Sequence, residues 1–144
     1  MFARWNEYVA IPLRLVVGGI FVVHGAQKLM GLPEAVKFVS SLGFAPGVPW
    51  AIVAGVVELA GGVALLMGFL TRWVALALAV EMVVALALVY VPLGLLAAQA
   101  PIELRLTLIA GLLALAGTGA QKWSLDERAV LRTVSPPGGM KQAA

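Results

Sequence analysis

Cysteine is absent from the 144-residue chain. That excludes a thiol nucleophile, a thiolate-held iron–sulfur cluster and any disulfide staple. Charge is scarce: Asp, Glu, Lys and Arg make up 12% of the residues, about half the usual share for a soluble domain. A soluble fold of this size has a large surface for its volume and needs polar residues to cover it. Ten basic and seven acidic side chains cannot do so when 62% of the chain is apolar. The arithmetic places the chain in a membrane and excludes intrinsic disorder and collagen. The net charge of +3 is read as a loop-orientation signal and not as nucleic-acid binding.

Long apolar runs are what the chain does have. A membrane helix needs about 20 mostly apolar residues. Four segments meet this, at 9–30, 50–70, 73–91 and 101–118. Gly31-Leu32-Pro33, the Thr71-Arg72 turn and Val91-Pro92-Leu93-Gly94 separate them. Pro101 opens the last at a tolerated first-turn position. No clean small-residue cleavage site follows the first segment, so it is expected to be retained. Between the first two spans, 33–42 reads as a short interfacial helix. Pro33 and Glu34 open it, Val36, Phe38, Val39 and Leu42 give it an apolar side, and Gly43 closes it. The expected fold is therefore all-α: an integral membrane four-helix up-down bundle over residues 1–118. Residues 119–144 form a tail with a short capped helix and a disordered end. Ser124 and Glu127 have capping-box spacing, and Asp126 suits the first turn of that helix.

Orientation follows from the basic residues. Arg4, Arg72, Lys122, Arg128, Arg132 and Lys141 share one side, against Lys28 and Lys37 on the other. Both termini are expected in the cytoplasm of a bacterial or archaeal cell. Trp5, Tyr8, Trp73 and Trp123 mark the inner interface, and Trp50 and Tyr90 the outer one.

The informative residues are the charges that remain inside spans: Arg14, Lys28, Glu58, Glu81, Glu103 and Arg105. An ionised group at the bilayer centre costs roughly 2.5–3.5 kcal/mol on insertion scales. Glu58 and Glu81 lie too deep to reach water and are expected to face the interior. His24, Gln27 and Lys28 share one face at the outer end of the first span. With Glu58, Glu81 and Glu103 they are expected to converge on a polar pocket in the outer half. Arg105 points almost opposite to Glu103, so only one of them faces the pocket centre. Arg14 is expected to snorkel to the inner interface. Gly18, Gly19 and Gly25 on the first span, with Gly55, Gly61 and Gly62 on the second, allow close helix contact. Gly55, Glu58 and Gly62 share a face, which puts the glutamate in that contact. Each of these groups also has a purely structural reading, as an ion pair, a helix end or a snorkelling side chain.

These residues resemble the DoxX family of small membrane proteins. The resemblance rests on Leu13-Arg14-Leu15, on Phe21-Val22-Val23-His24-Gly25-Ala26-Gln27-Lys28-Leu29 and on Ser41-Leu42-Gly43-Phe44. It continues through Gly55-Val56-Val57-Glu58-Leu59-Ala60-Gly61-Gly62, Gly68-Phe69-Leu70-Thr71-Arg72, Glu103 and Ser124-Leu125-Asp126. It implies a four-helix bundle and an association with quinone-linked oxidation.

Two readings of function follow. In the first, the chain is a quinone- or quinol-interacting subunit of a membrane oxidoreductase, and at most a subunit. His24, Glu58 and Glu81 then serve as a proton relay, and His24, Gln27, Lys28, Glu58, Glu103 and Arg105 bind the substrate. A quinone is the expected ligand, with no metal and no resident cofactor. One histidine and no cysteine leave the chain without its own route for electrons, so a partner oxidoreductase must supply them. In the second, the chain is a non-enzymatic scaffold, carrier, or lipid or small-molecule binder. Both readings expect the bilayer as a partner, allow a homo-oligomer and exclude nucleic acid.

Overall fold

The computed structural model describes residues 8–93 and 102–128. They form helices and turns, with no strand among them. The helices are α1 (Ala10–Met30), α2 (Leu32–Ser41), α3 (Gly47–Met67), α4 (Thr71–Leu93) and α5 (Ile102–Thr118). By length and composition α1, α3 and α4 can each cross a membrane. The fourth segment is a helix of 17 residues packed against α4.

Local chemistry fixes the ends. The Gly31 N–H closes α1 on the Gln27 carbonyl at 2.8 Å, and α2 starts at once with Pro33 in its first turn. Gly43, in the left-handed region at φ 92°, follows α2. Gly68, at φ 65°, ends α3, and the Phe69 N–H donates back to the Ala64 carbonyl at 2.9 Å. The α3–α4 turn is therefore Gly68-Phe69-Leu70, not Thr71-Arg72. Phe69 and Leu70 are apolar enough to read as span, but the left-handed glycine stops the helix first. Pro92 likewise falls inside the last turn of α4, which runs through Leu93. The loop at 94–100, Pro101, Arg4, Trp5, the Tyr90 side chain and everything after Arg128 lie outside the described residues.

Glycines decide the main packing. A methyl group on Gly18 would stand 2.9 Å from the Gly62 carbonyl oxygen, and one on Gly62 would stand 2.6 Å from the Val22 nitrogen. Gly25 and Gly55 are equally crowded by the opposite helix or its side chains. α1 and α3 thus approach backbone to backbone, and theirs is the most extensive contact in the fold, followed by α4 on α5. Gly19 faces open space and plays no part in it. Gly61 meets Leu78 of α4 instead. Between the two helix pairs sits a core of Val17, Phe21, Leu65, Leu78, Leu108, Leu112 and Leu115.

The end of the bundle that holds Ala10, Gly68 and Thr118 is tied by residues 119–128. Arg14 does not snorkel. It is only 3% exposed, and its Nη2 donates to the Lys122 and Trp123 carbonyls at 3.3 and 3.2 Å. The Ala10 N–H donates to Gln121 Oε1. Ser124 caps the turn as expected, its Oγ accepting the Glu127 N–H, but the Glu127 carboxylate accepts the Trp123 N–H, one residue before the cap, in place of the Ser124 N–H of a full capping box. Asp126 has a different role from the one expected. Its carboxylate accepts the Leu70 and Thr71 N–H groups at 2.7 and 3.0 Å and so caps α4, while its own N–H donates to the Gly68 carbonyl. Gln121 and Trp123 hold left-handed backbones at φ 55° and 56°, each pinned by a carbonyl that accepts a side-chain bond.

Candidate functional site

α1 carries His24, Gln27 and Lys28 along one face of its outer end. α3 places Glu58 on the buried stripe between Gly55 and Gly62. Because α1 and α3 are in near-backbone contact, Lys28 reaches Glu58: Nζ donates to Oε1 at 2.7 Å. The glutamate side chain is 2% exposed and the lysine 35%. The buried acid is thus compensated by a cation whose stem lies in the helix contact and whose head reaches the edge. Glu58 Oε2 stays buried with no hydrogen-bond partner among the described residues. Glu81 of α4 also buries Oε2 without one and lies within electrostatic reach of both Glu58 and Lys28.

Beside this group lies a cavity of about 680 Å³. α1 lines it with His24, Gln27 and Lys28, and α4 with Glu81, Val84, Ala85 and Leu88. α3 contributes Ala51, Val53, Ala54 and Val57, all apolar. α2 forms the roof with Glu34, Ala35, Phe38, Val39 and Leu42. Phe44 and Trp50, edge to face at 5.3 Å between ring centres, close the loop side. An apolar chamber with a few polar groups at one wall suits a small lipophilic molecule with a polar head.

The structure brings His24, Gln27, Lys28 and Glu81 to one cavity, with Glu58 immediately behind Lys28. It does not bring Glu103 or Arg105 there. Glu103 is exposed at the start of α5, where its carbonyl accepts the Thr107 hydroxyl, and neither residue lines the cavity. The reason is architectural: the walls come from α1 to α4, and α5 packs chiefly on α4. Sequence reasoning gave the α2 segment an apolar side with Phe38, Val39 and Leu42, on the membrane surface or capping the bundle, but did not assign that side to the cavity. The signal was present, since Ala35, Phe38, Val39 and Leu42 keep the i, i+3, i+4, i+7 spacing of a single helix face. Val57, Val84 and Leu88 carried no such mark.

The DoxX family model matches residues 9–91, which hold α1 to α3, most of α4 and all the described walls of the cavity. The chain belongs to the DoxX family. An uncharacterized membrane protein of Mycobacterium tuberculosis is 33% identical over 131 residues, covering 82% of this chain and 79% of that protein. The "Putative oxidoreductase CatD" of Bacillus subtilis is 34% identical over 77 residues, 54% of this chain and 56% of CatD. The inner membrane protein YphA of Escherichia coli is 35% identical over 71 residues, 49% of this chain and 51% of YphA. The chain thus spans about half the length of CatD and of YphA. No solved structure matches it.

Proposed function

We propose that this DoxX-family protein holds the head group of a quinone or quinol in the outer cavity, as the quinone-interacting subunit of a membrane oxidoreductase. The observation that carries the reading is the cavity itself: apolar walls on three helices, and His24, Lys28 and Glu81 grouped at its polar side. His24 can donate to a ring oxygen. Lys28 favours negative charge on the ring, and Gln27 orients it. Glu58 holds Lys28, and Glu81 exchanges protons with the bound head. Electrons come from a partner protein, because one histidine and no cysteine give this chain no carrier of its own. CatD's name supports a redox setting for the family, and YphA's supports the bacterial inner membrane.

In this reading α5 completes a fourth span, α2 lies on the outer surface, and both termini are cytoplasmic. The exposed Trp73 and Trp123 sit at the inner interface and Trp50 at the outer one. The alternative, a carrier or lipid binder without chemistry, is favoured by the same lack of an electron carrier.

Lipid extraction from the purified protein tests the proposal. A quinone should co-purify and be lost from His24→Ala and Glu81→Leu proteins that still elute as the wild type does. If deletion of the gene leaves quinone-dependent oxidation in membranes unchanged, the redox reading fails and the carrier reading stands.

A further inference from the structure

The polarity of the cavity has a direction. Its cation, imidazole and amide come from α1, whereas α3 offers Ala51, Val53, Ala54 and Val57, with the Trp50 indole as its one polar group among the described lining residues. On α4, Glu81 is followed toward the outer end by Val84, Ala85 and Leu88. The chamber therefore grades from polar at α1 to apolar where α3 faces α4.

That apolar side is also loosely closed. α3 packs mainly on α1 and α4 mainly on α5, and the α3–α4 contact is much smaller than either. The two helices are joined by the tight turn at Gly68 and meet at Gly61 and Leu78, toward the inner end. Further out, Val53, Val57 and Val84 line the cavity and are nevertheless 53%, 39% and 47% exposed. A side chain that lines a chamber and is also open to the outside marks an opening. On helices of membrane-spanning length, an apolar opening at this level faces lipid. The roof side is partly open as well, with Phe38 and Trp50 45% and 49% exposed, but Glu34 lines it and it is not apolar throughout.

Size completes the argument. About 680 Å³ accommodates a substituted ring and the start of a chain, but not a long isoprenoid tail. From these observations we infer that the cavity is loaded sideways from the bilayer, through the gap between α3 and α4. The occupant is a single-tailed amphiphile whose polar head turns to His24 and Lys28 and whose tail stays in the membrane between Val57 and Val84. This rests on the quinone reading for the identity of the head, and adds the route and the need for a tail.

The test uses the full-length protein in lipid nanodiscs and two benzoquinones with the same ring substituents, one with a decyl tail and one without. Binding is followed by quenching of tryptophan fluorescence, Trp50 being part of the wall. Val57→Phe and Val84→Phe each narrow the gap from opposite sides. Val56→Phe, on the neighbouring exposed position of α3, is the control. All three should melt with the wild type. Both narrowed variants should slow association of the tailed quinone by about tenfold while the Val56→Phe control stays unchanged, and the wild type should bind the tail-less quinone at least about tenfold more weakly than the tailed one. Unchanged association in both narrowed variants, or the same slowing in the control, overturns the side entry, and equal affinity for the two quinones overturns the need for a tail; either result leaves the quinone reading standing. Failure of the wild type to bind either quinone overturns the quinone reading, and this inference with it.

Discussion

At the residue scale, the account turns on a buried acid and its single cation. Removing one member of a buried pair strands the other, which costs more than the pair itself contributes. Lys28→Ala should therefore destabilise the protein by about 3 kcal/mol in a reversible detergent-unfolding titration. The double substitution Lys28→Met with Glu58→Leu should recover most of that loss while abolishing ligand retention. A double variant no more stable than Lys28→Ala would show that the pair contributes net stability. Depth and burial cost made Glu58 and Glu81 legible from sequence, since a carboxylate so far from water has to face the interior. The identity of the partner was not legible. It depends on which turn of α1 lies against Gly55, and the glycine stripe limits that register without fixing it. Arg14 shows the opposite failure. Its position near the inner end suggested snorkelling, and what buries it is a carbonyl pair more than a hundred residues away in sequence.

At the scale of elements, hydropathy and the breakers found every helix described, with ends displaced by up to three residues. Both ends of α3 were displaced by three residues, the second at the α3–α4 turn, where apolar Phe69 and Leu70 masked a glycine stop. The docking of 119–128 was not legible, because only its Ser124 cap is local. Asp126→Ala should cost about 1–2 kcal/mol, as loss of an N-cap does. It should raise amide exchange at Leu70 and Thr71 while leaving exchange at Gly31 unchanged. Exchange that rises only within 124–128 would mean that Asp126 serves its own turn and not α4. The α1–α3 contact has its own check. A methyl on Gly25 would press into the Leu59 backbone, so Gly25→Val should force the helices apart and lower the melting temperature sharply. A melting temperature within about 2 °C of wild type would contradict so close a contact.

At the scale of the whole molecule, two groups of described charges stand at opposite ends of the bundle. Arg14, Asp126 and Glu127 tie residues 119–128 to the helix ends, and Lys28, Glu58 and Glu81 stand in or beside a lipophilic chamber. The absence of cysteine makes the topology easy to measure, because single cysteines have no background. Ser41→Cys should react with a membrane-impermeant maleimide in intact cells, and Arg128→Cys only after permeabilisation. The reverse pattern would invert the orientation and put the chamber in the inner half. The chamber itself is the central claim, and photo-crosslinking tests it most directly. A decyl benzoquinone carrying a photoreactive group on its ring would be irradiated with the protein in nanodiscs and the labelled positions mapped by mass spectrometry. Labels should fall on 24–28 of α1 and 81–88 of α4, and excess unlabelled quinone should suppress them. Labels confined to the shallow apolar groove that α3 forms at Val56, Val63 and Met67 beside Leu125, or insensitive to competitor, would contradict the account.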